Sequence, residues 1–345
     1  MNTADDTRAG LRLALLLAGS AIVLIGVIAF ATAIGDYNIP VRSVFLAVTN
    51  HFGLTTADIP RIEQSVVWNL RLSRSLVAAL CGAGLAICGA ILQALLRNAL
   101  AEPFVLGVSA GASTGAVCVI VLGIGAGAVS LSLGAFVGAF AAFALVALLS
   151  NGATSGPSHT ILAGVAASQL FNALTAYIVT TSANAQQARN VMFWLLGSFG
   201  GVRWPEFQLL AVVLCICLAI CIWMARTLDA FTFGDEDAAA LGIPVARTRL
   251  ILFGVTALMT ATIVSQVGAI GFVGLVVPHA ARYVVGPVHM RLLPASAILG
   301  AVFMVIADIA SRVLVPQQTI PIGVVTALVG VPFFAIILYR ARPRT

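Results

Sequence analysis

Residues 131–150, LSLGAFVGAFAAFALVALLS, carry no charged side chain and only two hydroxyls, Ser132 and Ser150. Twenty such residues coiled as a helix are about 30 Å long, the thickness of a bilayer's hydrocarbon core. The stretch lies inside a longer one, 103–188, in which 86 consecutive residues include no Asp, Glu, Lys or Arg. Six further charge-free stretches flank it, at 13–35, 75–96, 207–225, 250–281, 292–307 and 313–339. Glycine and proline clusters divide the longest ones. Asn151-Gly-Ala-Thr-Ser-Gly-Pro157 and, more weakly, Gly123–Gly127 cut 103–188 into three, and Gly268–Gly271 cuts 250–281 into two. The ten spans expected are 12–34, 72–96, 103–123, 127–150, 158–181, 205–225, 246–267, 272–286, 292–313 and 320–340. Ala29-Phe30-Ala31 has the look of a signal cleavage site, but the apolar run before it is too long for a signal core, so the first span is expected to stay attached.

Composition agrees. Apolar residues make up 61% and charged residues 9%, with mean hydropathy +1.08, against roughly 25% charged in soluble domains. Too little polar surface exists to cover a water-soluble body. The chain is therefore expected to be all-α, a single polytopic membrane domain over 1–345 with one polar segment at 226–249.

All 18 basic residues are arginine. Without lysine there is no Schiff-base chemistry and no Gly-Lys-Ser/Thr phosphate loop, so any nucleotide energy comes from another protein. The net charge of +6 is scattered, which excludes a nucleic-acid face. With the N-terminus inside, 11 arginines fall on inner loops and seven on outer ones, so both termini are expected in the cytoplasm; the short basic run Arg340-Ala341-Arg342 with Arg344 reads as an inner anchor. The six cysteines all lie in apolar runs and read as small core hydrophobes. Cys217 and Cys221 are one helical turn apart, too few ligands for a metal centre, and no cofactor is expected.

Four features carry chemistry. Gly107, Gly111 and Gly115 form a small-xxx-small face suited to close helix packing. The segment 226–249 holds seven charges in 24 residues; Asp235, Glu236 and Asp237 open a short helix that Gly242 and Pro244 end. Such a helix is either a solvated loop or a grip for a cytoplasmic partner, through Asp235, Glu236, Ala238, Leu241 and Gly242. Asp308, in an apolar helix, stands four residues before Arg312, which makes an ion pair the cheaper reading over a proton relay. Ser168, Asn172 and Thr175 share a helical face with Gln169 beside them, and either bond across helices or line an aqueous path.

The residues resemble the FecCD-type permeases of binding-protein-dependent ABC importers, over nearly the whole chain. The marks are LRLSRSL at 70–76, GAILQALLRNALAEP at 89–103, LGVSAGA at 106–112, WLLGS at 194–198, GAIGFVGLVVPH at 268–279, LLP at 292–294, Ala307-Asp308 and IPIGVVTA at 320–327. Two departures stand out: Ala99 where the family has proline, and Phe233-Gly234-Asp235 where it has Leu-Gly-Glu.

The resemblance implies a multi-pass subunit of a bacterial inner membrane that pairs with a second copy of itself. It further implies two ATP-binding subunits on the cytoplasmic face and a soluble periplasmic binding protein that delivers cargo. Arg71, Arg74 and Arg312 match the positions whose guanidinium forks take that protein's acids. The fifth span would line the path between the two copies, with Arg189 at its outer mouth. The cargo expected is an iron chelate, haem ahead of a ferric siderophore because Arg189 suits propionates, with cobalamin as the alternative. A self-powered secondary transporter would need buried ionisable groups, and only Asp308 qualifies. An intramembrane enzyme would need a nucleophile triad, carboxylate pair or metal cluster that the chain lacks.

Overall fold

A computed structural model of the chain describes residues 3–35, 39–125, 129–150, 156–315 and 318–340. Every regular element among them is helical: α1 (Thr3–Ala33), α2 (Val41–His51), α3 (Arg61–Ser65), α4 (Ser73–Leu95), α5 (Val108–Leu122), α6 (Leu131–Leu149), α7 (Pro157–Ser182), α8 (Ala185–Leu195), α9 (Trp204–Trp223), α10 (Ala225–Phe231), α11 (Asp235–Ala240), α12 (Val245–Val267), α13 (Val273–Val285), α14 (His289–Val313) and α15 (Ile322–Arg340). Each of the ten expected spans coincides with one of these helices. Seven are long and apolar enough to cross a membrane, and α5, α13 and α15 are shorter apolar helices. The chain is a polytopic all-α membrane protein. Most of the 151–157 loop signal and the basic tail beyond Arg340 lie outside the described residues.

Helix α4 is the axis of the bundle. Its sequence is rich in Ala, Gly and Cys, and 89% of its apolar window is buried, against 11% for α1. Small side chains let neighbours approach closely, and in a membrane that packing replaces the hydrophobic effect as the cohesive force between helices. Helices α14, α13, α12 and α9 surround α4. A Cβ built on Gly82 would fall 2.0 Å from the Gly300 carbonyl oxygen of α14, so the two backbones touch. The expected Gly111/Gly115 face packs in the same way on Gly134 and Gly138 of α6. Gly107 instead precedes α5 with φ +70, after a 3-10 turn over Pro103–Leu106, which is why the third span starts later than its apolar run.

Four helices fall outside the expected set: α2, α3, α8 and α10. Chain 61–95 is one continuous rod, α3 passing into α4 through a π-helical stretch, Val66–Leu72. The wider π turn carries Trp68 and brings Arg71 inward, where it is buried.

Candidate functional site

Four charged groups close one end of the bundle. Asp308 of α14 is 0% exposed; its Oδ1 accepts from Arg74 Nε at 2.8 Å and lies 2.8 Å from Arg74 Nη2, and its Oδ2 lies 3.1 Å from Arg312 Nη2. The expected i,i+4 pair is therefore present, with Arg74 as a second cation from 234 residues away. The remaining guanidinium donors cap α1. Arg71 Nη1 donates to the carbonyls of Thr32 (3.3 Å) and Ala33 (2.9 Å), and Arg312 Nη1 to those of Ala31 (3.1 Å) and Ile34 (2.8 Å). A helix ends with four carbonyls that lack intrahelical partners and a partial negative charge; here two arginines satisfy carbonyls of that last turn.

These are the three arginines expected to dock a binding protein. Arg71, Arg74 and Arg312 are 6, 16 and 7% exposed and hold internal acceptors. They staple α1, α4 and α14 together, and Arg74 keeps the widest exposed edge of the three.

The opposite end carries α10 and α11. Both carboxylate oxygens of Asp235 accept from Arg249 Nη2 of α12, at 2.7 and 2.8 Å, while its side chain stays 31% exposed. Arg249 is buried, with its Cζ 5.9 Å from the Phe231 ring centroid. Asp229 Oδ1 accepts the backbone N–H of His289 at 2.8 Å and lies 2.7 Å from its Nδ1, so an acid from α10 caps the start of α14. The segment is thereby clamped to two spanning helices. Ala238 is buried as the keel of α11; Gly242 ends the run with φ +80. The outward residues include Glu236, Asp237, Leu241 at 72% exposure and Phe233 at 77%. Two large apolar side chains are thus held out on a polar knob. Sequence reasoning named Leu241 as a contact and gave no such role to Phe233, Asp229, Arg249 or His289; Arg249 lies 14 residues from Asp235 in the same segment, and His289 lies 60 from Asp229.

Nearby, the loop after α4 is tied to the start of α13. Glu102 accepts the Phe272 N–H at 3.3 Å, and burial pushes its carboxyl above the ordinary carboxylate range. Gln93 donates to the Gly274 carbonyl at 3.2 Å and accepts from Arg282.

Helix α7 carries the candidate path. Gln169 and Asn172 are exposed in a 26-residue apolar helix and have no hydrogen-bond partner among the described residues. Thr175 departs from them: it is buried, its hydroxyl 2.9 Å from that of Thr114 on α5, and so belongs to helix packing. Ser168 is half-buried beside Gly107. Arg189 lies on α8, exposed, with Nη2 3.3 Å from Gln186 Oε1. Helix α8 is fixed by a reciprocal Asn184–Gln187 capping box and by Gln187 donating to the Ile120 carbonyl at the end of α5. Among the described residues no group of three metal-ligating side chains occurs.

The model of the FecCD transport family matches residues 21–340. The cobalamin import system permease BtuC of Halobacterium salinarum is 39% identical, over 88% of this chain and 79% of its own. The Fe(3+) dicitrate permease FecD of Escherichia coli is 37% identical, over 80% and 86%. A metal-chelate type ABC transporter solved in an inward-facing conformation superposes with a TM-score of 0.83 at 30% identity, over 94% of this chain and 99% of that one.

Proposed function

The chain belongs to the FecCD transport family and is an ABC-importer permease, a non-catalytic membrane subunit, and from that premise we propose that it moves a metal chelate, taken as an iron chelate, into the cytoplasm. The observation that carries the path is the pair of unpartnered amides, Gln169 and Asn172, on the outward face of α7. Amides facing lipid are costly, whereas facing a second copy across a wet channel they are solvated and offer donors and acceptors to a polar cargo. The chain thus works as a homodimer with α7 at its axis. The α10–α11 knob seats in one of two ATP-binding subunits through Glu236, Leu241 and Phe233. That end and both termini lie in the cytoplasm, in keeping with the arginine distribution. A soluble binding protein delivers cargo to the Asp308 end, its acids meeting Arg74 at the exposed edge.

Arg189, exposed beside the mouth of α7, favours a chelate with peripheral carboxylates, such as haem or a carboxylate siderophore. Cobalamin is a second reading, supported by the 39% identity to the cobalamin permease. Uptake of haem, a ferric siderophore and cobalamin into liposomes holding the permease, its ATPase and its binding protein decides between them. Arg189→Gln should lower uptake of the carboxylated chelate severalfold; uptake of cobalamin alone, unchanged by Arg189→Gln, overturns the iron reading.

A further inference from the structure

The end of α1, helix α2 and the start of α4 enclose an apolar groove of about 600 Å³. From α2 it is lined by Val41, Val44, Phe45 and Val48, spaced i, i+3, i+4 and i+7, so one stripe of this short amphipathic helix forms a wall. Its one polar lining side chain, Thr32, already donates to the Ile28 carbonyl at 2.8 Å. The groove therefore offers nothing to a polar ligand and 600 Å³ to a hydrocarbon one.

Two observations set its depth and its partner. The far end of α2 is stacked into an aromatic row: His51 on Trp68 at 3.5 Å between centroids, and Trp68 on Trp204 at 4.8 Å. Such rings collect where headgroups meet hydrocarbon, which puts α2 at the membrane surface and the groove just beneath it. Arg42, next to the groove-lining Val41, is exposed and has no hydrogen bond or ion pair among the described residues. Helix α2 contains no acid to complement it.

We propose that this groove is a lipid site, taking an acyl chain of an anionic phospholipid whose phosphate rests on Arg42. A second copy of this chain is the weaker occupant. Helix α1 packs on α14 and α4 while α7 packs on α5 and α6, so a dimer formed through α7 leaves α1 facing lipid, in line with its 11% burial. A cation at such a surface favours anionic over zwitterionic lipid by about fivefold.

The test is native mass spectrometry of the full chain titrated with dioleoyl phosphatidylglycerol or dioleoyl phosphatidylcholine. The first phosphatidylglycerol should bind about fivefold more tightly. Arg42→Gln should bring it to the phosphatidylcholine level, and Ala29→Trp, which fills the groove from α1, should weaken both lipids. Val48→Phe, from the α2 wall, gives the same reading if the tryptophan variant does not fold. Equal binding of the two lipids, or binding unchanged by Arg42→Gln and by the filling variants, overturns the proposal. So does a filling variant that alters the monomer–dimer balance without altering lipid binding, which would assign the groove to a second copy.

Discussion

Replacing Asp308 by asparagine leaves two guanidinium groups, Arg74 and Arg312, facing each other without their carboxylate. Removing one partner from a buried ion pair costs about 3–5 kcal/mol, so Asp308→Asn should lower the thermal midpoint in detergent markedly. Arg74→Gln, which leaves Asp308 its second cation, should cost less. Equal, small shifts for the two variants would mean that the cluster is solvated and not a staple. Half of this cluster was legible: the four-residue spacing of Asp308 and Arg312 shows on the chain, but Arg74 meets them only through the packing of α4 on α14. The arginine caps on α1 were invisible because their acceptors are backbone carbonyls, which carry no sequence signature. Thr175, read as either bonding across helices or lining a path, is a related case. Its helical phase is near that of Asn172, yet a hydroxyl on the adjoining helix, Thr114, claims it.

At the scale of elements, two glycines in apolar helices should respond in opposite ways. Gly82→Val drives a side chain into the Gly300 backbone and should cost about 1–3 kcal/mol or more. Gly254→Ala, with nothing within 4 Å of its added carbon, should be neutral or stabilise by up to about 1 kcal/mol through helix propensity. Chemical unfolding of both variants checks this, and a neutral Gly82→Val would deny the backbone contact between α4 and α14. Hydropathy located all ten apolar elements, the seven long enough for a bilayer and the shorter α5, α13 and α15, because each is an apolar run bounded by charges or glycines. It passed over α2 and α8, whose apolar residues are spaced along one side, and the π stretch, which is a matter of hydrogen-bond register. The α10–α11 segment was found by its charge density, but the division of its acids was not. Asp235 and Asp229 hold the segment in place, while Glu236 and the exposed Phe233 and Leu241 face out. Glu236→Ala with Leu241→Ala should therefore reduce co-purification of the ATPase severalfold without shifting the permease's own melting temperature. Arg249→Ala should shift both, since it removes the clamp. Full ATPase retention in the double variant would remove the knob from the interface.

The whole molecule is a rigid block around α4 with a charged staple at one end, a clamped knob at the other and a polar stripe on α7. The proposed importer requires this stripe to face water between two copies. In a chain whose six native cysteines are replaced and whose uptake is retained, single cysteines at Asn172 and Thr175 put that claim to the measurement. Reaction with a membrane-impermeant thiol reagent, in liposomes with the ATPase, should be rapid at 172 and should change with ATP. Position 175, against α5, should stay inert throughout. Equal inertness at both positions, or reaction at 172 that ignores nucleotide, would place α7 against lipid or protein and contradict the account.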